Sequence, residues 1–138
     1  VNDFSYIREP DIAGLHKRMT IFHPAMFIRR TAYEINGLYD GSFSYAMDSE
    51  WCHRAIKNKL EFREVSAVLA NMSLGGWSDL HFFRSLNEYR RSLVLHGLAS
   101  PIIAVFNFVF YSVMKCLMKA KFFYSIKKYR DKNDFLRK

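Results

Sequence analysis

From Gly97 through Met114 the chain carries no charged side chain. An uncharged, mostly apolar run of that length approaches the roughly 20 residues a helix needs to cross a bilayer. It narrows the possible folds, because so long an apolar surface has to be covered by protein or by lipid. Helical spacing divides the segment. Asn107, Ser112, Lys115 and Lys119 fall on one strip, with Ile103, Phe106, Val109, Phe110, Val113 and Leu117 opposite. Three placements are open to such a helix: lying in a membrane interface, packing inside the protein, or spanning. The lysine strip favours the first. Phe122-Phe123-Tyr124 and Lys127-Lys128-Tyr129-Arg130 continue the theme, since aromatic and lysine side chains suit a headgroup boundary.

Charge follows the same division. The 138 residues carry a formal net charge of +8. Residues 1–78 hold nine basic and nine acidic side chains, whereas residues 79–138 hold twelve basic and four acidic ones. The whole excess therefore lies in the C-terminal part, which predicts an anionic surface as its partner. A nucleic-acid partner is not expected, because that would call for a basic surface on the neutral first part. Cys52 and Cys116 have no metal-like spacing and read as two free thiols of a reducing compartment. The chain begins at Val1 without an initiator Met or signal peptide, and is expected to be a piece of something larger.

In chain order, residues 1–10 read as irregular or a short edge strand closed by Pro10, and Asp11 as the cap of a short helix to Met19. Ile21 to Ile28 is a mostly apolar run that predicts a buried strand broken at Pro24. Thr31 and Glu34 have capping-box spacing for a short helix that Gly37 would stop. A helix is predicted from about Ser49 to Lys59, then a strand over Glu61 to Met72 with an irregularity near Ser66. Gly75-Gly76-Trp77-Ser78 breaks it with a loop. A long helix to about Leu98 follows, with Leu80, Phe83, Leu86, Tyr89, Leu93 and Leu95 on its apolar face and Arg84, Glu88, Arg91 and Ser92 largely elsewhere. Pro101 suits the first turn of the next helix. No internal repeat is present.

The stretch Ser42 to Arg54 (SFSYAMDSEWCHR) carries the chemistry. An aromatic-rich approach ends in two acids, Asp48 and Glu50, at the start of the predicted helix. Carboxylates at a helix mouth interact favourably with the positive end of the dipole and with free backbone N–H groups. A carboxylate fixed at such a lip can serve as a general base, and an ordinary helix cap looks the same.

His23-Pro24-Ala25-Met26-Phe27-Ile28-Arg29-Arg30, Tyr33-Glu34-Ile35-Asn36-Gly37-Leu38-Tyr39-Asp40, Ala46-Met47-Asp48-Ser49-Glu50 with Arg54, and Gly75-Gly76-Trp77-Ser78 together resemble one family. In order and spacing they are similar to the C-terminal, acceptor-side half of a bacterial family 2 glycosyltransferase with the GT-A fold. The relatives by pattern build lipopolysaccharide, capsule and other exopolysaccharide units. The likeness covers roughly residues 15–90. It implies an α/β fold class: a partial GT-A-like arrangement of short strands and helices over 1–78, followed by C-terminal amphipathic helices over 79–138.

The resemblance also implies roles. Asp48 matches the family's catalytic base, although Met47 precedes it where some members have a second acid. His23, Glu50, Gly75, Gly76, Trp77 and Ser78 are the candidate substrate-binding residues. His23 would reach a sugar or phosphate oxygen, unless it only marks a strand break. Trp77 would stack on a sugar ring, unless it only plugs the core under its loop. For Arg54 a structural salt bridge is expected. No Asp-x-Asp metal motif is present, so a divalent metal (Mg or Mn) and the nucleotide-sugar donor are expected to bind through a half outside this chain, with no metal bound by this segment. The synthase motif Gln-x-x-Arg-Trp is absent as well, which implies single-sugar transfer to a glycan or lipid-linked acceptor. The implied location is cytoplasmic, peripheral on the inner face of the plasma membrane through residues 101–138. The competing expectation is a non-catalytic basic and aromatic module that docks on anionic membrane.

Overall fold

The computed structural model describes residues 9–71 and 80–135, with side chains through Lys121. Two 3-10 turns, Ala13–His16 and His23–Ala25, precede four α-helices: α1 Arg30–Asn36, α2 Met47–Lys57, α3 Phe82–Leu95 and α4 Pro101–Phe135. Each helix packs on the next in chain order.

The expected α/β class is wrong: among the described residues there is no strand. The dihedrals of the 21–29 segment are extended at Phe22 (φ −94°, ψ 119°), Met26 (−103°, 120°) and Arg29 (−67°, 146°). What is missing is a partner. A strand is defined by a ladder to a neighbour, and no described segment lies alongside this one. Pro24 sits inside the 3-10 turn and removes an N–H that a ladder would need. The second predicted strand fails differently. At Ser66 the Ala67 N–H donates to the Val65 carbonyl at 2.8 Å, which folds the chain into a three-residue turn. Val65 and Val68 then stand exposed rather than in a sheet face. Apolar runs of this length identify burial or its absence poorly, because periodicity alone cannot supply the neighbour.

The helix ends are decided locally. Asp11 accepts the Gly14 N–H through Oδ1 at 2.9 Å, so it does cap a turn, though only the short 3-10 one. The Thr31–Glu34 capping box does not form. Helix α1 starts one residue earlier with Arg30, and Glu34 pairs instead with Arg30 at 3.4 Å on the surface. Gly37 ends α1 with φ +77°, as expected of a glycine stop. Helices α2 and α3 end in the same way. Lys59 N–H bonds Ile56 O (3.0 Å) and Leu60 N–H bonds Ala55 O (2.9 Å); Gly97 N–H bonds Val94 O (3.1 Å) and Leu98 N–H bonds Leu93 O (2.9 Å). Both are Schellman motifs, with the left-handed position held by Lys59 (φ 58°) in one and Gly97 (φ 71°) in the other.

The core has two patches. Leu15, Ile21, Trp51, Cys52 and Ala55 form one, with Met26, Tyr33 and Phe62 among the residues around it. Ala46, Tyr89 and Leu93 form the other. Between them the polar groups are paired. The Leu15 carbonyl accepts from the Tyr89 hydroxyl and from His53 Nε2–H at 3.3 Å. Since a carbonyl only accepts, Nε2 carries the proton and Nδ1 takes the Ser92 hydroxyl at 2.8 Å. The first turn of the chain is thereby tied to both α2 and α3.

Helix α4 runs unbroken from Pro101 to Phe135. Its polarity relative to the protein is the reverse of that of a soluble helix. Ala104 is buried, and Asn107, Phe108, Tyr111, Ser112 and Lys115 are half-buried toward the fold, with Lys115 Nζ 4.8 Å from the Phe82 ring. The apolar arc faces outward: Ile102 is 83% exposed and Phe106 69%.

Candidate functional site

Helix α2 begins at Met47, which places Asp48 in its first turn and Ala46 at the cap. The carboxylate of Asp48 is half-exposed. Its Oδ1 accepts the Ser49 N–H at 2.7 Å and the Ser49 hydroxyl at 3.3 Å. Among the described residues nothing hydrogen-bonds Oδ2. This geometry leaves one carboxylate oxygen oriented by the helix start and available to a hydroxyl.

Rings gather on the same side. Tyr33 lies 5.5 Å from Trp51 between ring centroids and 6.2 Å from Tyr39; Tyr39 lies 6.4 Å from both Trp51 and His23. Trp51 is anchored by its Nε1–H to the Gly37 carbonyl at 2.9 Å. Burial raises the Tyr39 pKa, and the Tyr33 hydroxyl and the negative charge of Asp48 push it further in the same direction. His23, itself exposed, meets this cluster at Tyr39. Tyr39 was missed as a site residue, although it lies within the motif Gly37-Leu38-Tyr39-Asp40.

Glu50 is placed quite differently from Asp48. It is 2% exposed, so it neither faces solvent nor opens to a ligand. Arg54 grips it with two bonds, Nε to Oε1 and Nη2 to Oε2, both 3.0 Å, and His96 Nε2 donates to Oε1 at 2.9 Å. Arg54 also donates to the carbonyls of Asn36 and, at 2.7 Å, Leu38, satisfying groups left over at the end of α1. Arg54 is therefore the expected structural salt bridge, and its partner is Glu50. The two acids are two residues apart, about 200° around the helix, so one points inward and the other away from the core.

The approach to the site is held from α3. Glu88 accepts three successive backbone N–H groups, Ser44 at 3.1 Å, Tyr45 at 2.7 Å and Ala46 at 3.0 Å. Arg91 stacks 4.6 Å from the Phe43 ring centroid, and Arg84 donates to the Tyr45 hydroxyl at 3.3 Å. The face of α3 read as polar and away from the core is the clamp that shapes the loop ahead of Asp48. The available signal was the spacing Arg84, Glu88, Arg91, which places the three on one face.

Gly75, Gly76, Trp77 and Ser78 lie outside the described residues, as does the expected junction at 78. Two buried groups near the site are chemically quiet. Burial pushes the Cys52 thiol up to about 12, with the charges of Asp48 and Glu50 adding to it. Burial likewise pulls the pKa of His53 down to about 4, keeping it neutral. Neither is poised as a nucleophile or acid at neutral pH. Among the described residues no three His, Cys, Asp or Glu side chains converge. Glu50, the nearest acid to Asp48, is committed to Arg54 and His96.

No family model matches the chain, and no curated protein or solved structure is similar to it.

Proposed function

We propose that the chain is the acceptor-side part of an inverting glycosyltransferase, with Asp48 as the general base. The observation that carries this reading is the half-exposed Asp48 carboxylate in the first turn of α2, with Oδ1 held by Ser49 and Oδ2 without a partner among the described residues. The pattern resemblance in residues 15–90 gives that carboxylate its role.

The chemistry is a single displacement. An acceptor hydroxyl oxygen bonds to the anomeric carbon while the bond from that carbon to the nucleoside diphosphate breaks and its electron pair leaves with the phosphate. The hydroxyl proton passes to Asp48. Such a positioned base contributes about 10²–10⁴-fold, and alignment of the two sugars contributes on top of it. Tyr39, near enough to feel the Asp48 charge, offers a ring that suits the C–H side of a sugar. Donor nucleotide and metal are assigned to chain outside these residues, and no step here passes through a metal.

The test is Asp48→Asn in the full-length protein, assayed as nucleoside diphosphate release from a panel of nucleotide sugars with lipid-linked or glycan acceptors. Turnover should fall by about 10²–10⁴-fold with the unfolding midpoint nearly unchanged. Undiminished turnover removes Asp48 from the reaction, and a large loss of stability reduces it to a helix cap.

A further inference from the structure

Helix α4 presents an apolar arc to the outside while its polar strip is covered. Ile102, Phe106, Val109, Phe110, Val113 and Leu117 are all half or more exposed, and only 6% of the Pro101–Lys121 segment is buried in the fold. A core helix of this length and composition would be mostly buried, so internal packing does not account for this one. Patches this large on a soluble surface mark a docking site.

We infer that α4 lies in the plane of an anionic lipid surface, with this arc in the headgroup–acyl boundary and the rest of the fold riding above it. Three features identify lipid as the occupant. The segment has the length and composition of hydrocarbon-facing helix, 21 residues or about 31 Å at 1.5 Å per residue. The arc carries no charge from Ile102 to Ala120; Lys115 and Lys119 lie on the strip behind it, and Lys121 follows at its C-terminal end. Lysines there can extend their chains along apolar surface and leave the ammonium at the headgroups. Finally, the positive excess of the whole chain is confined to residues 79–138, which complements anionic lipid.

The orientation follows from α3. Helix α4 is packed along α3 from Ala104 to Lys115. A crossing helix with this packing intact would carry Arg84, Glu88, Arg90 and Arg91 to hydrocarbon depth, where charged side chains are strongly disfavoured. Lying flat leaves those groups in water and submerges only the arc. The inference does not rest on sugar transfer, and holds whether or not Asp48 is a base.

The full chain should partition onto vesicles containing phosphatidylglycerol and much less onto pure phosphatidylcholine. Phe106→Asp with Val113→Asp should lower partitioning more than about tenfold, two charges having been placed in the arc. Both positions are exposed, so far-UV circular dichroism should be unaltered. Ile35→Asp, at a 65% exposed site on α1, should change nothing. Depth is read with a fluorophore on Cys116, which is exposed, while Cys52 is fully buried and stays unlabelled. A second label is placed by Val109→Cys in a Cys116→Ser background. Lipid-borne nitroxides should quench both at one shallow depth. A deep label at 109 with a shallow one at 116 means a crossing helix and overturns the in-plane placement. Partitioning that ignores the aspartates overturns the arc, and equal binding to neutral vesicles overturns the anionic preference. A lipid-free dimer that shields Cys116 and does not bind vesicles means that a second copy covers the face.

Discussion

The Tyr45 amide hydrogen points at Glu88 Oε2 across 2.7 Å, joining residues 43 positions apart in the chain. The same carboxylate takes the neighbouring N–H groups of Ser44 and Ala46. These donors lie just ahead of α2, on the loop leading into it, and α2 has no side-chain cap of its own. A carboxylate from α3 holds that loop, and the position of Asp48 depends on the hold.

Glu88→Ala should therefore cost about 1–3 kcal/mol, since it strands part-buried amides and removes bonds to a charged acceptor. Glu88→Gln keeps one acceptor oxygen and should cost less. Urea unfolding at neutral pH measures both. A change within the scatter of surface substitutions would show that water replaces the carboxylate freely.

Arg54→Ala should be harsher. It leaves the Glu50 carboxylate, 2% exposed, with His96 alone, and it uncaps the end of α1 at Asn36 and Leu38. Removing one partner of a buried pair costs about 3–5 kcal/mol; Arg54 is partly exposed, so the lower end applies. Arg54→Lys should recover little, because one ammonium cannot reproduce the two-bond grip. Thermal unfolding of the two variants gives the comparison.

Stability should depend on pH through His53. Its pKa drops from 6.5 to about 4 on folding, chiefly by burial, which outweighs the raising effect of the Leu15 carbonyl, with a smaller lowering from the nearby His96. Between those values the unfolded chain binds the proton and the folded chain does not. Stability is thus complete above about pH 6.5 and declines as pH falls toward 4, by about 3 kcal/mol in all. His53→Gln should flatten that slope in urea unfolding at stepped pH. If the slope persists in the variant, another group produces it.

The paired helix ends offer an internal comparison. Lys59 holds the left-handed position that Gly97 holds in the other Schellman motif. Lys59→Gly should raise stability by up to about 1 kcal/mol, and Gly97→Ala should lower it by about 1 kcal/mol. Space is no obstacle at Gly97, where nothing lies within 4 Å of an added Cβ, so any loss there reports backbone conformation. Equal effects of the same sign would refute the assignment.

Much of the helix pattern was readable along the chain because its causes are local. Gly37 stops α1, Gly97 stops α3 and Pro101 opens α4, each through dihedral preferences spanning a few residues. The acids at the start of α2 were equally legible. Their separation into a partly exposed Asp48 and a sealed Glu50 was not, since it required Arg54 and the distant His96. Likewise the apolar arc of α4 was visible in its spacing, but the direction it faces was not.

By itself the sequence determined the stops of α1 and α3 at Gly37 and Gly97, the start of α4 at Pro101, and which residues share a helical face. Tertiary structure decided that residues 21–29 and 61–71 form no sheet, that Glu88 holds the loop ahead of α2, and that the polar strip of α4 faces inward. Dihedral and capping preferences act within a turn or two of chain. Pairing, burial and the outward side of a helix depend on which distant surface arrives, and periodicity holds no information about that neighbour.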